Sequence, residues 1–152
     1  MKAPRSVAHP LSIAALATLL INDHVFKTRV DWLPRWLVAK LSDLAFVALA
    51  PIVALSFYEA LSRHERRRTL VVTSSMIAVG AVFSLAKCTA WGASLVGCAL
   101  GALQAPARGA LVCAPITVDP TDLLALPALL AARWVERRTR PELDRSARAI
   151  DQ

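Results

Sequence analysis

Four short polar clusters interrupt an otherwise apolar chain, and each holds residue types able to bind an ion or move a proton. Asn22-Asp23-His24-Val25-Phe26-Lys27 closes one apolar run, and Lys40-Leu41-Ser42-Asp43 opens the next. Lys87 closes a third run, and Asp119-Pro120-Thr121-Asp122 opens a fourth. Carboxylates at Asp23, Asp43, Asp119 and Asp122, with the His24 imidazole, suit a divalent metal, while the amines of Lys27, Lys40 and Lys87 suit a phosphate. On a helix Asp23 and Lys27 stand at i, i+4, and Lys40 and Asp43 at i, i+3, so each pair shares a face. Arginine outnumbers lysine by fourteen to four, yet three of the four lysines fall in these clusters. A compact ammonium that responds to its surroundings is favoured there over a guanidinium fork. The catalytic candidates are therefore Asp23, His24, Lys40, Asp43, Lys87 and Asp122, and the metal-ligand candidates are Asp23, His24, Asp43, Asp119 and Asp122. The cofactor is unknown, a divalent metal being the one the residue types allow.

The elements that must position these groups read as membrane helices. The chain has 152 residues, 56% hydrophobic and 19% charged, with a mean hydropathy of +0.49. That balance excludes disorder, collagen-like repeats and a disulfide scaffold. A bilayer core of about 30 Å takes ~20 apolar residues as a helix. Thr69 to Ala86 carries no charge, and Leu37 to Leu61 is long enough, with Pro51 in its middle as an expected kink. Leu11 to Ile21 must continue through Phe26 to span, and the fourth run must extend from Pro120 to Val135. The expectation is an all-α, four transmembrane helix bundle over residues 1–136 with a charged cytoplasmic tail at 137–152. A signal peptide is the alternative for the first run, since Lys2 and Arg5 precede it, but no small-x-small cleavage site follows. Cys88 to Ala107 is uncharged yet rich in Ala and Gly, so Ala90 to Leu103 reads as an interfacial or re-entrant helix, not a fifth span.

The net charge of +7 does not point to nucleic acid, because the basic residues flank apolar runs. With four spans and the amino terminus inside, twelve of the eighteen Lys and Arg residues fall on the inner side, including the six arginines from Arg133 to Arg148. Both termini are then cytoplasmic. Trp32, Trp36 and Trp91 would mark the outer interface, and Tyr58 and Trp134 the inner one. The four polar clusters then share the outer side and form one chamber, since odd spans end there and even spans begin there.

Simpler readings stand beside each motif. Asp119-Pro120-Thr121-Asp122 is also a helix start with an Asp cap, a Pro at the first position and an acid in the first turn. His24 suits a helix carboxyl end, Lys40 with Asp43 an inert ion pair, and Glu59 with Arg63 a surface pair. Cys88, Cys98 and Cys113 read as small apolar fillers, with pairing of two in an oxidising compartment as the alternative. Three functions fit: an enzyme acting on a lipid head group or lipid-linked phosphate, an ion- or proton-relay subunit, and a non-catalytic assembly or sensor protein. The partners expected are the lipid bilayer, a lipid or lipid-linked ligand, and a second copy or another membrane protein.

NDHVFK, KLSDLA, the lysine closing the third run and TVDPTDLLALP together resemble a family of small bacterial multi-span membrane proteins without an assigned function. The resemblance covers Leu11 to Trp134 and implies a bacterial inner-membrane setting with the same polar positions. Phe46 stands where the second motif of that family has Gly, which puts close helix approach there in doubt. The VanZ-like proteins are a looser comparison, and their Asp-Lys and His arrangement does not map onto these residues.

Overall fold

The computed structural model describes residues 5–26, 33–62 and 67–150, and of residues 107, 108 and 141–150 the backbone alone. Pro10 opens the first helix, where its missing N–H costs nothing, and His9 caps it by accepting the Leu11 N–H on Nδ1 at 3.2 Å. This helix, α1 (Pro10–Ile21), passes directly into a π-helical segment, Asn22–Phe26. Next come α2 (Arg35–Leu61) and α3 (Arg68–Cys88). Pro51 sits buried inside α2, and the helix continues through it. Thr89 separates α3 from α4 (Ala90–Arg108). Its hydroxyl donates to Leu85 O at 2.8 Å and accepts the Gly92 N–H at 3.0 Å, so one side chain finishes one helix and caps the next.

α4 stops at Gly109, whose φ of 71° places it in the left-handed region that glycine adopts without strain, and its N–H returns to Ala105 O. An irregular strap over residues 109–119 follows. The chain then forms a 3-10 helix, Pro120–Leu129, and ends in α5 (Leu130–Ile150). Ten residues is long for a 3-10 helix, and its burial repeats every third residue: Asp122 and Ala125 are buried, whereas Thr121, Leu124 and Pro127 are exposed. That is the eclipsed geometry of three residues per turn.

The all-helical expectation holds, with no strand among the described residues. α2 and α3 are long and apolar enough to cross a membrane, and only 17% of the apolar window of α3 is buried inside the protein. α1 with its π extension is a shorter apolar helix. By contacts the chain divides into Met1–Ile77 with Ala125–Gln152 and, separately, Ala78–Leu124.

In the first unit α1 packs on α2, and α5 packs on both. Ile52, Leu55, Val72, Ala132 and Val135 form its fully buried centre, with Leu11 and Met76 against them.

In the second unit the strap runs back along α4. A Cβ at Gly97 would overlap Ala114 O, and one at Gly101 would overlap Val112 O, so these two glycines are what let the backbones touch. The register is consistent on both sides: four helical residues rise about 6 Å, and two extended residues about 6.6 Å. Ala114 N donates to Gly97 O at 2.9 Å, and Cys98 forms a disulfide with Cys113. The filler reading of the cysteines is thereby corrected for these two, while Cys88 is an exposed free thiol. The expected helix at Ala90 to Leu103 is present but longer, and the strap returns the chain toward the start of α4.

Candidate functional site

The π-helical register sets Asn22, Asp23 and His24 at the end of α1, beside the first turns of α2. Asn22 is fully buried. Its Nδ2 donates to Val38 O at 2.8 Å and to Ser42 Oγ at 2.6 Å, and Ser42 Oγ donates in turn to Asp23 Oδ1 at 2.8 Å. Asn22 Oδ1 is buried with no hydrogen-bond partner among the described residues. Lys40 and Asp43 flank Ser42 in sequence and are half-buried, Asp23 is half-buried, and His24 is exposed. Lys27, expected to pair with Asp23, lies outside the described residues, as do Trp32 and Arg63.

The second unit holds its own pair. Lys87 Nζ lies 2.7 Å from Asp122 Oδ2, with 12% and 6% of the two side chains exposed, and 5.6 Å from the centre of the Phe83 ring. Asp119 does what the simpler reading of its motif expects. Its Oδ1 accepts the Thr121 N–H at 2.9 Å and the Thr121 hydroxyl at 2.7 Å, while Asp122 N donates to Asp119 O. Asp122 therefore serves the ion pair with Lys87, and Asp119 alone of the two acids serves as the cap.

Of the residues expected to hold a metal, Asp23, His24 and Asp43 lie in the first unit and Asp119 and Asp122 in the second, and among the described residues no three His, Cys, Asp or Glu side chains gather as ligands.

A further polar network, at the other end of α2, was not anticipated. Glu59, expected as half of a surface pair, has a side chain only 10% exposed and meets Arg68 Nη2 at 2.6 Å. Glu59 Oε2 also accepts the Ser6 N–H at 3.2 Å and the Ser6 hydroxyl at 2.8 Å, and Ser6 Oγ lies 2.7 Å from Ser56 Oγ. Arg68 Nη2 donates to Thr139 Oγ1 at 2.9 Å. Beside it the buried Glu136 accepts from Thr69 at 3.1 Å and pairs with Arg140 at 3.0 Å. The network ties the amino-terminal turn, α2, α3 and α5 together. Its sequence signal is a polar residue three positions from another on one helix face, Ser56 with Glu59 and Glu136 with Thr139.

Trp36 and Trp91 are exposed, and Trp134 packs edge-on against His9 under the Arg138 guanidinium. The chain matches no known family model, no curated protein and no solved structure.

Proposed function

We propose that the chain is an integral protein of a bacterial inner membrane, crossing it four times with both termini cytoplasmic, and that it acts on a lipid head group or lipid-linked phosphate at the outer side. Three features support the membrane reading. α2 and α3 have spanning length and apolarity, large apolar side chains such as Phe46, Phe57, Leu70 and Ile77 are exposed, and most Lys and Arg residues fall on one side of the four-span topology. The contact between Lys87 and Asp122 supports counting the chain between them as an excursion that returns to its starting side.

The observation that carries the site is the chain Asn22, Ser42, Asp23 with its orphaned Asn22 Oδ1. Asn22 feeds a hydrogen bond into the Ser42 oxygen while Asp23 accepts the Ser42 proton, so the hydroxyl is held where the end of α1 meets α2. In this reading Lys40 and His24 neutralise phosphate charge, the chain of Asn22, Ser42 and Asp23 holds the end of α1 against α2 beside them, and no metal is required. The Lys87 pair with Asp122 holds together the two ends of the second unit.

The test is lipid capture by the purified full chain in nanodiscs containing phosphatidic acid or phosphatidylcholine. Lys40→Gln and His24→Gln are expected to remain inserted and to lose about tenfold of the preference for phosphatidic acid, the loss of a charge-assisted hydrogen bond. Equal capture of both lipids by the parent chain defeats the proposal.

A further inference from the structure

Cys98 and Cys113 belong to a segment whose geometry says where it can reside. The strap over residues 109–119 carries irregular backbone, and Leu111, Val112, Cys113, Pro115, Thr117 and Val118 along it are exposed. Hydrocarbon does not tolerate lipid-facing irregular backbone, because its N–H and C=O groups have no partners there. The hairpin of α4 and strap therefore suits the aqueous edge of the membrane, where its thiols meet water-borne oxidants.

We infer that Cys98 and Cys113 are an oxidation site on the outer face, closed after insertion by exchange with an external disulfide donor, and that closure is what pins the strap along α4. This rests on the orientation proposed above. In the exchange the Cys98 and Cys113 thiols each give up a proton. One thiolate attacks the donor's S–S bond to form a mixed disulfide, and the second displaces the donor's remaining sulfur. The products are one Cys98–Cys113 bond and two donor thiols, so the donor takes up both electrons. A reducing cytosol would keep the pair open, which gives the bond a side as well as a location.

Three local features agree on the closed form. Gly97 and Gly101 leave room for the strap, the Ala114 N–H finds Gly97 O at 2.9 Å, and Cys113 lies between the two contact points. The same strap leads into Asp119 and Asp122, so its closure delivers the Asp122 carboxylate to Lys87. Cys88 is exposed and unpaired in the described structure, and it serves as an internal standard for labelling.

The experiment counts thiols on the full chain in membranes, using a mass-tagged maleimide after denaturation, with and without prior reduction. One tag is expected before reduction and three after it. Cys98→Ser and Cys113→Ser should each show two tags before reduction, and cleavage of the strap by an added protease should quicken about tenfold, as loss of a 15-residue closure allows. Should either variant fail to accumulate, the parent chain treated with a mild reductant supplies the same protease comparison. A carboxyl-terminal reporter read in parallel separates the two levels of the argument. Three free thiols in a chain whose reporter is cytoplasmic overturn this inference and leave the proposed orientation standing. A reporter active outside the cell overturns both.

Discussion

Arg68 shows what a single buried charge does in this fold. It is 2% exposed and faces Glu59, which is itself mostly buried, so neither charge has water to fall back on. Removing one partner of such a pair leaves the other desolvated, typically at about 3–5 kcal/mol. Arg68→Ala is therefore expected to lower the thermal midpoint of the detergent-solubilised chain sharply, while Glu59→Gln with Arg68→Met costs less than the sum of the single changes. A double-mutant cycle that is additive would remove the pair from the account. Arg140, half exposed, contributes less to its pair with the buried Glu136 than Arg68 does to its own, because water can take up its charge. The clusters around Asp23, Lys40, Lys87 and Asp122 were legible in the sequence because ionisable groups stand out against apolar runs. Their partners were less so. Ser42 is an ordinary helix residue until α1 ends beside it, and Glu59 looked solvent-facing because its arginine is nine positions away, beyond the reach of helical spacing.

At the level of elements, the glycines at 97 and 101 define a track for the strap. Gly101→Val puts a branched side chain where Val112 O lies, so the strap must lift. The expected outcome is incomplete oxidation of Cys98 and Cys113, measured by maleimide tagging, with α4 itself retained. Full oxidation in this variant would mean that the track does not guide closure. The helices over residues 35–61 and 68–88 followed from hydropathy almost to the residue. The 3-10 helix did not, although its threefold repeat is written in Thr-Asp-Leu, Leu-Ala-Leu and Pro-Ala-Leu from Thr121 to Leu129. A search tuned to the period of 3.6 averages that signal away. The π segment was likewise hidden, because it depends on how Asn22 is buried and not on propensity.

For the whole molecule, the membrane assignment predicts that the chain stays with the lipid fraction after alkaline carbonate extraction, and that a phosphatase fused after Gln152 is silent while a cytoplasmic fluorescent reporter is bright. A silent fluorescent reporter with an active phosphatase would invert the orientation. The helical class and the sidedness rule come from composition and charge, which are properties of the chain taken together. The division into two units and the disulfide come from close backbone packing, which composition does not encode.

The slender helix from Pro120 to Leu129 also bears on the reach that the proposed fourth span would need. Ten residues at about 2.0 Å each, followed by the six from Leu130 to Val135 at about 1.5 Å, stretch to roughly 29 Å. An ordinary helix of those sixteen residues would stop near 24 Å, short of the fatty layer's usual thickness of about 30 Å. In the proposed four-span topology, tighter winding would supply in length what the run lacks in residues.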